Sequence, residues 1–225
     1  MPGKHCAAIA CAIGIGASCA GSARADFGFD DIEFWAGAGE NRAALVIDWN
    51  DGKSSESIAW GFRWDGTATG IDMLEAVVRA DDRLFGAIGS FVWGSAAIGL
   101  GYDTDGDGFA TSPGIAFDAD GYALVGQRDG TLPTDSDDHY VEGWNTGYWS
   151  YYVAPDSPYG VSAWAYANDG LSGWVLSDGE WDGVSFAPGF DGPAPGEPVA
   201  AQVPGPAGAL GLVIGAFVSQ RRRLR

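Results

Sequence analysis

The sequence predicts a mainly β protein, built as a single β-sandwich-like domain with one helix near residues 70–84. Short apolar stretches rich in aromatic and β-branched residues alternate with turns rich in glycine, asparagine and aspartate. That alternation is typical of strands joined by hairpins. A single stretch has apolar residues at helical spacing instead. A chain of 225 residues suits one such domain with appendages, and we assign the domain to residues 26–190.

The first predicted hairpin lies where the apolar stretch AALVIDW runs into Asn50, Asp51 and Gly52, which suit a tight turn before the strand ESIAWGFRW. Five later stretches have the composition of strands: SAAIGLGY, IAFDADGYALVG, EGWNTGYWSYYVA, YGVSAWAYA and GWVLS. Each is bounded by turn-forming residues, which favours a sheet protein without an obvious internal repeat.

The helix is predicted from the stretch TGIDMLEAVVRADDRL, where four apolar residues share one helical face: Ile71, Leu74, Val77 and Val78. Thr69 and Asp72 have the spacing of a capping pair, in which the two residues satisfy backbone N–H groups at the start of a helix. The sequence therefore predicts that the helix begins just after Thr69.

The charges are distributed unevenly along the chain. All 30 acidic residues lie between Asp26 and Glu197, together with only six of the 12 basic ones. A body this acidic repels nucleic acid and anionic lipid, so we expect no nucleic-acid partner. It also favours cations, calcium among them.

The first 25 residues have the features of a secretory signal peptide. Lys4 begins a short basic region, an apolar core follows, and Ala23 and Ala25 form a small-residue cleavage site. The three cysteines all lie within the first 19 residues, so the body has no thiol chemistry. Lipidation at Cys19 is the alternative. The expected processing partner is a signal peptidase.

The C-terminal end has three parts in a fixed order. A proline- and glycine-rich linker at 191–202 leads to the motif Val203, Pro204, Gly205 and Pro206. An apolar run at 207–218 follows, shorter than the ~20 residues that span a bilayer. Last comes a basic cluster with Arg221, Arg222 and Arg223.

This end, residues 203–225, resembles the PEP-CTERM sorting signal of bacterial exosortase substrates, with Gly205 where the common form has glutamate. The resemblance implies export, a transient membrane anchor, cleavage near the motif by an exosortase-like enzyme, and transfer to the cell surface or extracellular matrix. The predicted linker would hold the body away from that anchor.

One loop has the first half of a calcium-binding motif. Its residues are Asp103, Asp105, Asp107 and Gly108. Calcium takes several oxygen ligands, and a glycine at this point permits a sharp turn. The glutamate that would close a twelve-residue loop is replaced by Gly114. We therefore expect Asp118 and Asp120, from a neighbouring turn, to complete the site; a solvated acidic loop is the alternative.

Two predicted strands are rich in aromatic residues. Trp60 and Trp64 lie on one face of the first, and Trp149 and Tyr151 share a face of the second. An exposed aromatic face would suit a glycan or another flat ligand. The alternative is that these rings belong to the core, as most large aromatic side chains do.

Catalysis has little support in the sequence. His139 is the one histidine of the body; we expect it in an exposed loop, although it could ligate a metal. No nucleophile-elbow motif is present. The leading hypothesis is a non-enzymatic binding or matrix protein, and a secreted carbohydrate-active hydrolase that uses a carboxylate pair is the alternative.

The body also resembles a family of secreted or surface-anchored bacterial proteins through the segments ALVIDWNDGK, WGFRWDGTATGIDMLEAVVRAD, GWNTGYWSYYV and SDGEWDGVSFAPGF. The resemblance spans about Asp31 to Phe190 and has no catalytic signature. Some members of that family are associated with corrinoid uptake, which implies a corrinoid as an alternative ligand, with His139 placed to reach its cobalt.

Overall fold

The computed structural model describes residues 26–160 and 162–203. The predicted cleavage site at Ala23 and Ala25, and the tail from Pro204 onward, lie outside the described residues. The strands are β1 (Trp35–Gly37), β2 (Asn41–Asp48), β3 (Ser57–Trp64), β4 (Leu84–Phe91), β5 (Gly94–Tyr102), β6 (Thr111–Ser112), β7 (Tyr122–Val125), β8 (Leu132–Pro133), β9 (His139–Glu142), β10 (Gly147–Ala154), β11 (Ala165–Tyr166), β12 (Trp181–Pro188) and β13 (Val199–Ala200). The helix α1 is Gly70–Ala80.

The strands form two main sheets, so the predicted β-sandwich-like class with one helix is confirmed. The larger sheet has the order β1-β3-β2-β12-β10-β11, with β13 paired to β3, and the smaller one has the order β7-β4-β5-β9. A two-stranded sheet pairs β6 with β8. In the larger sheet β2 pairs antiparallel with β3 and parallel with β12.

The main core lies between the two sheets and α1. Alternate residues of the central strands face it, such as Leu45 and Ile47 from β2 and Trp60 from β3, and all three are fully buried. This is the period-two pattern of strands. The helix adds Leu74 and Val77, which the sequence places on its apolar face.

A second apolar cluster covers the outer face of the larger sheet. Ala44 and Val46, the β2 residues that alternate with the core set, pack there beside Trp181. The N-terminal segment around Phe27 closes this face, and the Phe27 ring meets the Trp181 ring edge-on at 6.1 Å. Burial on both faces explains why β2 is a nearly continuous apolar run.

The helix begins where predicted and ends earlier than predicted. Thr69 Oγ1 accepts a hydrogen bond from the Asp72 N–H, and the Asp72 carboxylate accepts from the Thr69 N–H at 2.8 Å. The helix ends at Ala80 and does not reach residue 84. The reason is Asp81, whose buried carboxylate accepts from the indole of Trp60 at 2.8 Å and from the Arg83 N–H. These bonds turn the chain into β4.

The first hairpin forms as predicted, but its turn is longer. The backbone ladder of β2 and β3 ends with the Trp49 N–H donating to the Glu56 carbonyl at 2.9 Å. The six residues 50–55 make the loop, in which Asn50, Gly52 and Ser55 all have positive φ. The turn signal was therefore located correctly, and the tight-turn geometry was wrong.

The segment predicted as a free linker packs on the body. Within 191–202, β13 pairs with β3, and Ala201 is buried. The Gly196 N–H donates to the Asp48 carboxylate at 2.7 Å, and the Trp164 indole donates to the Pro195 carbonyl. Because these bonds satisfy backbone groups that a free linker would leave to water, the domain extends to about residue 201.

The predicted membrane-related segments lie outside the described residues. Within 26–160 and 162–203, no helix is both long enough and apolar enough to span a bilayer.

Candidate functional site

A surface cleft lies between the two main sheets, where β5 faces β10. It consists of two adjoining hollows of about 280 and about 190 Å³. Their shared lining is Trp93, Ala96, Ala97, Tyr148 and Trp149. The larger hollow is closed by Trp144, and the smaller one by the loop around Asn168 and Leu171. The β5 side chains in this lining, Ala96 and Ala97, are small, so a space remains between them and the surrounding aromatic rings.

Three stacked aromatic rings lie beside the cleft, and two of them, Trp93 and Trp144, line it. The β4–β5 hairpin presents Phe91 and Trp93, whose rings stack at 4.7 Å with an interplanar angle of 7°. Trp144, from the loop between β9 and β10, stacks on Phe91 at 4.9 Å. Trp93 is 62% exposed, so much of its ring is available to a ligand.

The loop that supplies Trp144 is held by one carboxylate. Asp129 accepts hydrogen bonds from the backbone N–H groups of Trp144, Asn145 and Thr146, at 2.9 to 3.0 Å. The side chains of Asn145 and Thr146 donate to it as well, both at 2.8 Å. Backbone donors such as the Trp144 N–H, with these side chains, keep the pKa of Asp129 far below its usual value. Asp129 therefore holds the backbone that carries Trp144.

The floor of the cleft is Trp149. The side chain is 7% exposed and borders both hollows. Its indole N–H has no hydrogen-bond partner among the residues that the structure describes. That nitrogen is itself shielded from solvent, so Trp149 contributes its ring to the cleft and not its N–H.

Tyr151 lines the smaller hollow, and a buried acid lies behind it. Its hydroxyl donates a short hydrogen bond to the Asp182 carboxyl group. Burial raises the pKa of Asp182 well above its usual value, the Tyr151 bond opposes that rise, and the charge of Glu180 adds to it. Asp182 is fully buried, so it does not reach the cleft.

All four aromatic residues predicted to bind a ligand are buried members of the main core, and only Trp149 and Tyr151 also border the cleft. Trp60 is fully buried and Trp64 is 6% exposed. Trp60 donates to Asp81, and Trp64 stacks on Phe62 at 5.5 Å. Their strand, β3, lies in the interior of the larger sheet, which explains why these rings do not line the cleft.

A separate acidic cluster forms where two loops meet. Carboxylate oxygens of Asp103, Asp105 and Asp138 lie within 4.8 Å of one another, as do those of Asp105, Asp107 and Asp135. Of the predicted aspartates, Asp105 belongs to both groups, whereas Asp103 and Asp107 belong to different ones. Their additional partners come from the loop before β9.

The loop after β5 turns around the carboxylate of Asp103. Asp103 is 5% exposed and accepts from the Gly106 N–H at 2.7 Å and the Gly108 N–H at 3.0 Å. Both glycines have positive φ, which side chains rarely adopt. The carboxylate of Asp103 is therefore turned inward toward the second loop.

The second loop supplies a buried carboxylate with one free oxygen. Asp138 is 1% exposed, and its Oδ1 accepts from the Thr104 N–H at 3.0 Å. Its Oδ2 has no partner among the described residues. Burial, with further contributions from the charges of Asp103, Asp135 and Asp105, raises the pKa of Asp138 to about 6. The carboxylates therefore repel one another.

Asp118 and Asp120, predicted to complete the calcium site, lie elsewhere. Both pair with Arg79, at 3.3 and 3.8 Å. Asp118 Oδ1 also accepts from the Tyr122 N–H and caps the turn before β7. Because that turn is fixed to α1 through Arg79, neither residue belongs to the acidic cluster.

His139 is buried, contrary to the expectation of an exposed loop residue. It is the first residue of β9 and is 0% exposed, with its ring stacked on Trp49 at 4.7 Å. Nδ1 lies 2.9 Å from Asp51 Oδ2, and Nε2 lies 3.2 Å from the Ser54 carbonyl. Since both ring nitrogens are engaged, this arrangement leaves none for a cobalt ion.

Several site residues were not found by sequence reasoning, namely Trp93, Trp144, Asp129, Asp135 and Asp138. Trp93 has a local signal, since it stands beside a glycine at the tip of a hairpin. The others become recognisable only when distant loops meet. Comparison with known proteins adds no relative: no family model, no curated protein and no solved structure matches the chain.

Proposed function

We propose that this protein is an exported, non-enzymatic binding protein of the cell surface or extracellular matrix, and that its inter-sheet cleft binds a neutral saccharide. The observation that supports the ligand class is the cleft itself, where the exposed Trp93 borders the same hollow as Trp144, Tyr148 and Trp149. An apolar wall with a few fixed polar groups is the usual composition of a small-molecule site.

A saccharide matches this lining better than other flat ligands. A pyranose ring has an apolar face that can lie on an indole, and hydroxyl groups at its edge that can bond to polar side chains. The smaller hollow is lined by three residues with polar side chains, Ser95, Tyr148 and Asn168. The strongly acidic body disfavours anionic ligands, so the saccharide should be neutral.

The lining also favours binding over hydrolysis. Among the described residues, no carboxylate borders either hollow, and glycoside hydrolysis needs a pair of them beside the bond that breaks. The acid nearest to the lining by hydrogen bonding, Asp182, is covered by Tyr151. A secreted hydrolase that uses a carboxylate pair stays the alternative prediction.

The experiment is affinity electrophoresis of the purified full-length protein through gels that contain neutral polysaccharides, repeated with acidic ones. The proposal predicts retardation by at least one neutral polysaccharide and no release of reducing sugar. Release of product would favour the hydrolase. A shift of the cobalamin absorption spectrum on mixing, without retardation by any polysaccharide, would favour the corrinoid alternative.

The sorting route is proposed from the sequence of the two ends. The signal segment would be removed after Ala25 by signal peptidase, and an exosortase-like enzyme would act at Val203, Pro204, Gly205 and Pro206 while the arginine cluster stays cytoplasmic. Deleting 221–225 should release the protein or leave it unsorted. Unchanged surface display after the deletion would contradict this route.

A further inference from the structure

We infer that Asp103, Asp105 and Asp138 bind one divalent cation, with calcium the ion that fits best. The site joins the loop after β5 to the loop before β9. It differs from the site that the sequence predicts, because Asp138 replaces Asp118 and Asp120. It is independent of the saccharide cleft.

The first support is that the three carboxylates converge from two loops. Their oxygens lie within 4.8 Å of one another. Oxygens this close can share one calcium ion, because each calcium–oxygen bond is about 2.3–2.6 Å long.

The second support is the unpartnered oxygen of Asp138. The residue is 1% exposed, and its Oδ2 has no donor among the described residues, while Oδ1 accepts from Thr104. A buried carboxylate oxygen that lacks a donor is destabilising unless a cation neutralises it. Asp138 is a member of the converging group, so a cation held there would neutralise this buried carboxylate.

The carboxylate oxygens of Asp103 and Asp105 also have lone pairs that an ion can use. Each carboxylate oxygen of Asp103 accepts one backbone N–H, from Gly106 or Gly108, and a carboxylate oxygen has a second lone pair to offer. Asp105 is exposed and accepts from the Asp107 N–H at 3.1 Å. Asp107 and Asp135 lie beside Asp105 and strengthen the negative potential. All these ligand atoms are hard oxygens, which suits calcium and does not suit zinc or copper.

A bound ion would join the loop after β5 to the loop before β9. Asp138 is followed directly by His139, whose ring stacks on Trp49 between the sheets. The Lys53 ammonium group also donates to the Asp138 carbonyl. An ion at this position would therefore stabilise the start of β9 and the β2–β3 loop as well as the acidic loop.

The test is thermal unfolding of the full-length protein after treatment with a chelator, with calcium chloride added back, and with sodium chloride at matched ionic strength as the control for screening. At about 100 times the dissociation constant, calcium should raise Tm by about 5–10 °C, well beyond the effect of the sodium control. Terbium luminescence titrations on the same samples report the ion affinity directly.

Variants assign the effect to this cluster. Asp138→Asn keeps an acceptor for Thr104, and Asp105→Asn alters an exposed side chain, so both should fold; each should weaken calcium binding by at least tenfold. Asp120→Asn removes the same unit of charge outside the cluster and should bind as the parent does. The inference is overturned by a parent protein that calcium does not stabilise, by an equal shift with sodium chloride, or by unchanged affinity in Asp138→Asn.

Discussion

Replacing Trp93 with alanine should weaken saccharide binding without unfolding the protein. The residue is 62% exposed, and a tryptophan side chain has up to about 250 Å² of surface to bury, so about 150 Å² of it faces solvent. A sugar lying on one face would cover about half of that, or about 75 Å². At about 25 cal/mol per Å² this contact is worth about 2 kcal/mol, which corresponds to an affinity about 30-fold lower.

The assay compares dissociation constants of the parent and the Trp93→Ala variant by isothermal titration calorimetry, with the saccharide that retards the parent most in affinity electrophoresis. Leu132→Ala is the matched control, because Leu132 is 65% exposed and lies on β8, outside the cleft. Both variants should keep the parent's Tm within about 2 °C, as expected for exposed residues. A loss of affinity below threefold in Trp93→Ala, or an equal loss in the leucine variant, would refute the reasoning.

Three further variants test the surroundings of the site. Asp129→Ala removes the acceptor that fixes the Trp144 loop, so we expect weaker saccharide binding with the same stoichiometry; unchanged affinity would mean that the loop orders itself. Asp182→Asn should stabilise the protein at neutral pH. The raised pKa of Asp182 means that the folded state keeps a proton that the unfolded state releases. The stability of the parent should therefore fall as pH rises above about 4, by at most about 1.4 kcal/mol per pH unit. Denaturant unfolding at several pH values should show a smaller dependence in the variant. Asp81→Ala leaves the Trp60 indole N–H without its buried acceptor and should destabilise by about 1–3 kcal/mol; an unchanged unfolding midpoint would contradict that role.

The parts of the fold that depend on local patterns were predictable. Alternation placed β2 and β3 in the larger sheet, and the Thr69–Asp72 pair located the start of α1. The end of α1 was not predictable in this way, because Asp81 is recruited by Trp60, which is 21 residues earlier in the chain. The packing of 191–202 was missed for a similar reason: its proline and glycine content resembles that of a free linker, but β13 pairs with an edge that only the folded sheet offers.

The two sites differ in how much the sequence revealed. The run Asp103, Asp105 and Asp107 is a local signal, and the structure divides it between two acidic groups that share Asp105. Asp138 joins Asp103 and Asp105 from 35 and 33 residues away, so spacing alone favoured the nearer Asp118 and Asp120. For the aromatic residues, strand alternation separated the two faces but not core from cleft, since that depends on which sheet lies opposite.

The most direct test of the proposed function is a crystal structure of the protein in complex with a neutral oligosaccharide that it binds. We expect a sugar ring against the exposed face of Trp93, bordered by Trp144, Tyr148 and Trp149. A saccharide bound elsewhere on the protein, with this cleft empty, would contradict it.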